Sequence, residues 1–161
     1  MNTPIKEIYE NAIAPALKLL PPRMSDKRAV VMMIAIGLQE SRLIHRRQIK
    51  GPARGLWQFE RGGGVRGVLN FHSTHDLAKH IALDRIGKGD ANSVYDSLEH
   101  VGILAAVFAR LLLWTDPRSL PAIGDAQGAW DLYIRTWRPG KPHHHTWGAL
   151  YKQATDFAAK L

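Results

Sequence analysis

Apolar positions recur at helical spacing along most of the chain, and the breaks between them fall at prolines and glycines. Residues 4–20 predict an amphipathic helix, disturbed at Pro15 and ended by Pro21-Pro22. Ser25 is placed to cap a second helix, with Asp26 in its first turn. From Ala29 to Leu38 that helix is apolar on nearly every side, which predicts burial, and it ends near Glu40-Ser41. Residues 44–67 hold six glycines, Gly62-Gly63-Gly64 among them, so no long helix fits there and some short strands are expected. Ser73 or Thr74 caps the next helix, which stops by Gly87. Residues 91–115 predict a long helix or a broken pair. Asp125 to Trp137 and Thr146 to Leu161 predict two more, separated by "RPGKPHHH". The expected fold is mainly α (α+β), one domain over residues 1–161, with a small irregular or β-containing insert directly after the buried helix.

The chain has 161 residues, enough for one domain with its own core. A formal net charge of +8 favours a polyanionic partner: nucleic acid, an anionic membrane or the bacterial cell wall. Composition does not choose among them. There is no cysteine, which excludes disulfides and thiolate metal sites. The N-terminal stretch carries Lys6, Glu7 and Glu10 and has no clean apolar core, so it does not read as a signal peptide. The longest apolar run, Val101 to Trp114, is too short to span a bilayer and carries Arg110. It reads as a buried helix of a soluble protein that, if exported, leaves the cell by another route.

Chemistry is expected where the buried helix meets the insert. Glu40 sits in the last turn, facing the negative end of the helix dipole and following an apolar run. Both circumstances disfavour ionisation and push its pKa upward. A carboxylic acid held protonated near neutral pH is what a general acid requires. The plain alternative is a glutamate that turns to solvent beside Arg42 or Arg46.

Fifteen residues after Glu40 comes Gly55-Leu56-Trp57-Gln58. A Glu-Ser at the end of a buried helix, then a loop with a small-residue stretch ("GPARG"), then Gly-Leu-Trp-Gln resembles the soluble lytic transglycosylase family of the lysozyme superfamily, whose second motif is Gly-Leu-Met-Gln. The match covers residues 36–59. The resemblance implies a lysozyme-like fold and an enzyme that cleaves the MurNAc–GlcNAc β-1,4 bond of peptidoglycan. It implies that Glu40 protonates the glycosidic oxygen and later acts as the base. Ser41 would orient that carboxyl or contact substrate. Gly55 would let the backbone come close to Glu40, Trp57 would pack along the sugar groove, and Gln58 would hydrogen-bond the sugar. The family's third motif, Ala-Tyr-Asn, has its best counterpart in "AWDLYIRTW", with Tyr133 as the residue facing the acid and Trp130 as a rival. Residues 130, 133 and 137 also have the spacing of a core stripe.

Glu60 follows directly on "GLWQF". Enzymes of the resembled kind use one carboxyl group, the substrate's own hydroxymethyl group closing a 1,6-anhydro ring. With Glu60 as a second carboxylate the reaction would be that of a hydrolytic muramidase. Glu60 could equally pair with Arg54 or Arg61. The glycines that follow would form either a flexible lip or a tight helix start where only glycine fits.

His143-His144-His145 do not make a metal site by themselves, since adjacent residues cannot all turn toward one ion, and no helical His pair is present. No metal and no cofactor are expected. Arg42, Arg46, Arg47, Lys50 and Arg54 crowd the loop between the two motifs. They suit phosphates in a nucleic-acid binder, or the anionic peptides of peptidoglycan in a wall-degrading enzyme. No nucleic-acid-binding module is recognisable. The expected partner is therefore the peptidoglycan glycan strand, with no stable nucleic-acid or membrane partner. Size and charge suit a phage or prophage lysin made in the host cytoplasm, acting in the periplasm or cell wall through a holin or as a virion component. The alternative from another class is a basic phage structural or nucleic-acid-binding protein without activity.

Overall fold

The computed structural model describes residues 3–161, and nine α-helices account for most of them. The first amphipathic segment runs as α1 (Pro4–Ile8) and α2 (Ala14–Leu19), joined through a π-helical turn at Tyr9–Ile13. Pro15 has no amide hydrogen for the preceding turn, and the helix widens there rather than breaking. Pro21 and Pro22 then end it.

The buried helix is α3 (Lys27–Ser41), and every residue from Ala29 to Leu38 is buried. Its cap is Asp26, not Ser25: the Asp26 carboxylate accepts from the Ala29 amide at 3.0 Å. Ser25 lies one residue too early to reach the free amides of the first turn. Helix α9 (His144–Ala158) packs along α3. Helix α7 (Gly102–Trp114) is buried from Leu104 to Leu113 and supplies the other side of one continuous apolar core. It forms the broken pair with α6 (Ala91–Ser97), the two meeting at a bend of 120°. No single helix among the described residues is long and apolar enough to cross a membrane.

Between these come α4 (Arg66–Asn70) and α5 (His75–Ile86), which stops at Gly87 in the left-handed region. Thr74 precedes α5, but its hydroxyl donates to the Val68 carbonyl at 2.6 Å instead of capping. Helix α8 (Ala126–Trp137) begins where the Asp125 carboxylate accepts from the Gly128 amide at 2.9 Å.

The insert after α3 is irregular. The expected short strands reduce to two isolated antiparallel bridges, Arg47 with Arg54 and Arg54 with Phe59. Lys50, Gly55 and Gln58 all have positive φ, so the chain turns too often for a strand to extend. Of the three consecutive glycines, Gly64 is the constrained one. A Cβ there would lie 2.5 Å from the Phe59 ring, whereas Gly62 meets open space. The segment starts the helix tightly, through a π-turn at Arg61–Val65.

Trp57 does not lie along a groove. It is fully buried, and its indole Nε1 donates to the Met33 carbonyl of α3 at 2.8 Å. The approach depends on Gly37, where a Cβ would come within 3.2 Å of that nitrogen. The physical reason for the correction is the indole itself: it offers a large apolar area to the core and has one donor to satisfy there. Trp57→Ala should therefore lower unfolding free energy by about 3–5 kcal/mol. Equilibrium denaturation followed by far-UV circular dichroism checks this; a loss below about 1 kcal/mol would contradict the core placement.

Candidate active site

A cleft of about 610 Å³ opens where the end of α3, the insert and the end of α8 meet. Glu40, Gln58, Glu60, Tyr133, Trp137 and Arg138 line it. Glu40 reaches it because α3 ends one residue later in a left-handed cap. Arg42 has φ of 57° and Leu43 of 56°, and the Arg42 amide donates to the Leu38 carbonyl at 2.9 Å. Two successive non-glycine residues in this region are unfavourable by roughly 1–2 kcal/mol each. Their amides are held, the second by the Ser41 hydroxyl at 3.2 Å.

Glu40 is half-buried, and its carboxyl is pushed up to about 7 from an ordinary value of 4.5. Burial is the main cause. The hydrogen bond from Tyr133 works in the opposite direction, and the nearby Glu60 charge reinforces the rise. Burial wins, so the acid is partly protonated at neutral pH. The Tyr133 hydroxyl donates to Glu40 Oε1 at 2.7 Å. Burial and the adjacent carboxylate drive the phenol's own pKa upward, so it remains a donor. With Oε1 occupied, the carboxyl proton belongs on Oε2.

Tyr133 is itself buried and stacks on Trp147 of α9 with ring centroids 5.4 Å apart. Trp130, its rival for the place facing Glu40, packs instead against His144 and Trp147. Gln58 lines the cleft from a strained position, φ 52°, with its amide nitrogen on the Gly55 carbonyl at 2.9 Å. Glu60 is exposed on the same wall.

Three expected site residues do not line the cleft. The Ser41 hydroxyl is buried within 2.6 Å of the Leu56 carbonyl and 3.2 Å of the Gly37 carbonyl, so it ties the insert to α3 rather than orienting the Glu40 carboxyl. Gly55 allows close approach not to Glu40 but to Leu98. Its φ is 78°, and a Cβ would lie 2.8 Å from the Leu98 carbonyl oxygen. Trp57 is in the core, as described above.

A second aromatic residue beside Tyr133 lines the cleft: Trp137, four residues later and hence on the same face of α8. That spacing was the available signal. Its indole donates to the Trp57 carbonyl at 2.9 Å. Arg138, Lys141 and His143 add a basic rim to the cleft. The arginines of the insert are partly committed elsewhere. Arg47 makes a two-pronged pair with Glu99 at 2.8 and 2.9 Å, and Arg54 donates to the Gly51 and Ala53 carbonyls. Among the described residues no group of three His, Asp or Glu side chains is arranged to hold a metal ion. Comparison with protein-family models, with curated proteins and with solved structures finds no match to this chain.

The raised Glu40 pKa has a consequence for stability. The folded protein binds this proton more tightly than the unfolded chain, so the contribution is fully favourable below about 4.5 and is lost as pH rises to about 7. The shift of about 2.5 units corresponds to about 3 kcal/mol. Glu40→Gln should therefore gain in stability relative to the parent across that window and be level with pH above it. Denaturant unfolding of both proteins from pH 4 to pH 8 measures the difference, and parallel pH profiles would refute the shift.

Proposed function

We propose that this protein is a peptidoglycan lytic transglycosylase of lysozyme-like architecture, with Glu40 as its single general acid and base. The observation that carries the reading is the Glu40 carboxyl itself: raised to about 7, fixed at one oxygen by Tyr133, and set in the wall of an open cleft. The spacing from Glu40-Ser41 to Gly55-Leu56-Trp57-Gln58 supports it, and so does the basic rim, which suits an anionic wall polymer.

Glu40 Oε2 delivers its proton to the glycosidic oxygen between MurNAc and GlcNAc as the C1–O bond breaks. The leaving sugar departs as an alcohol, and positive charge develops at C1. Glu40, now a carboxylate, faces that charge while Tyr133 keeps its hydrogen bond. The carboxylate then takes the proton of the MurNAc 6-hydroxyl as O6 bonds to C1. The product is a 1,6-anhydro sugar, and the enzyme regains its proton. No water enters the reaction. Trp137 offers an aromatic face for a pyranose ring, and Gln58 a polar group for the substrate's hydroxyls or acetamido group.

One observation favours a second reading. Glu60 shares the cleft and its charge acts on Glu40, so it could instead activate a water and give a hydrolytic muramidase. In either case the biological setting we propose is a phage-type lysin that reaches the wall through a holin or as part of a virion.

Glu40→Gln keeps size and a hydrogen-bond acceptor but cannot donate the proton. Wall lysis by this variant should fall roughly 10²–10⁴-fold while folding persists. Zymography and turbidity loss on purified sacculi measure it; lysis at the parent rate would exclude Glu40 as the acid. Mass spectrometry of the released muropeptides separates the two readings. Products one water lighter than the hydrolytic ones, with Glu60→Gln still active, fit the transglycosylase. Ordinary reducing ends with an inactive Glu60→Gln fit the hydrolase.

A further inference from the structure

A second cavity, of about 420 Å³, lies between the end of α7, the start of α3 and the turn after α4. Its wall includes Arg110, which is only 3% exposed. The Arg110 Nε donates to the Met24 carbonyl at 2.6 Å. Nη1 is sealed from solvent and has no hydrogen-bond partner, the single side-chain atom of that kind among the described residues. A buried guanidinium with an unsatisfied nitrogen is costly, and its burial pulls the pKa down to about 10.

The charges around it are unevenly matched. Arg28 is paired with Asp26 at 2.8 Å. Asp116 is shared between Arg118 at 3.4 Å and Arg135 at 2.9 Å. Neither carboxylate hydrogen-bonds Arg110. Arg23, on the cavity rim, makes no ion pair among the described residues. The guanidiniums of Arg23 and Arg110 both lie against the Trp114 ring, 5.7 and 5.4 Å from its centroid. The Asp26 charge acts on Arg110 through space, but with Arg23, Arg28, Arg110 and Arg118 set against Asp26 and Asp116 the lining keeps cations in excess, two of them braced on a single indole.

We propose that this cavity binds a phosphate group, free or as an ester, between Arg110 and Arg23. Two unmatched cations call for a dianion, which a phosphate supplies and a single carboxylate does not. Guanidinium forks suit its oxygens. The volume exceeds that of the bare anion and leaves room for an ester substituent. The site does not depend on the chemistry at Glu40.

Isothermal titration calorimetry of the full chain tests this, with inorganic phosphate, glycerol 3-phosphate and acetate at constant ionic strength. Saturable one-site binding of a phosphate, with acetate at least roughly tenfold weaker, is expected. Arg110→Met and Arg23→Ala should each weaken phosphate binding roughly tenfold or more, while Arg47→Ala leaves it unchanged. Arg23 is exposed, so its variant keeps the test decisive even if Arg110→Met does not fold. Tighter binding of glycerol 3-phosphate assigns the site to phosphate esters, and tighter binding of inorganic phosphate to the free anion. Absence of saturable binding at millimolar ligand, equal affinity for acetate, or binding indifferent to Arg23→Ala would overturn the proposal.

Discussion

The site depends on how Trp57 is held. Its side-chain nitrogen donates into α3 at Met33, and its backbone carbonyl accepts from Trp137 of α8. One residue of an irregular loop therefore ties together the two helices whose ends carry Glu40 and Tyr133. The Leu56 carbonyl adds a second tie one residue earlier, at Ser41. A loop without strands has little register of its own; these bonds supply it. Gln58 and Glu60 fall on the cleft wall on either side of Phe59, which returns to the core. Since the anchors are buried, each bond left unmade would cost a full desolvation penalty, and so the arrangement is strongly specified.

Backbone strain is concentrated around the same place. The described non-glycine residues with positive φ are Arg42, Leu43, Lys50, Gln58 and Arg138. Arg42 and Leu43 end the helix bearing Glu40, Gln58 and Arg138 line the cleft, and Lys50 belongs to the insert between. Such conformations persist only where surrounding contacts over-determine them, and they gather where function needs a geometry that relaxed backbone would not give. Glu40 is similarly unfavourable as an anion. A fold optimised for stability alone would place neither a half-buried carboxylate nor consecutive left-handed residues at the end of a buried helix.

Much of this was legible in the sequence. The apolar run before Glu40 foretold a buried helix and a raised pKa, because burial is additive along a helix and needs no knowledge of partners. The stop of α5 at Gly87 was legible from the glycine, but its expected cap was not realised, because the Thr74 hydroxyl turns to Val68. Tyr133 was identified through a motif, not by periodicity, which serves a core stripe equally well. The failures have one physical origin. Whether Trp57 faces sugar or core is decided by which way the backbone turns, and the turn is set by Gln58 and Gly55 in the left-handed region. Hydropathy carries no information about that choice. Ser41 and Gly55 were misread for the same reason: their contacts, Leu56 and Leu98, are tertiary.

Arg110 illustrates the remaining limit. It stood out in the sequence as the one charge in an apolar run, but whether it was paired could be seen only with α3, α7 and the loop after Trp114 in place. Between its cavity and the Glu40 cleft lies a third hollow, of about 720 Å³. That hollow shares Glu60, Trp137 and Arg138 with one and Phe71, Asp116 and Pro117 with the other. Both outer depressions carry charges of both signs: Glu40, Glu60, Arg138 and Lys141 in one, and Asp26 and Asp116 with four arginines in the other. The net charge of +8 is therefore better understood by where its unmatched members sit than by its sum. Arg47 and Arg54 of the insert are partly spent on the fold, while Arg23 and Arg110 line one cavity and Arg138 the Glu40 cleft.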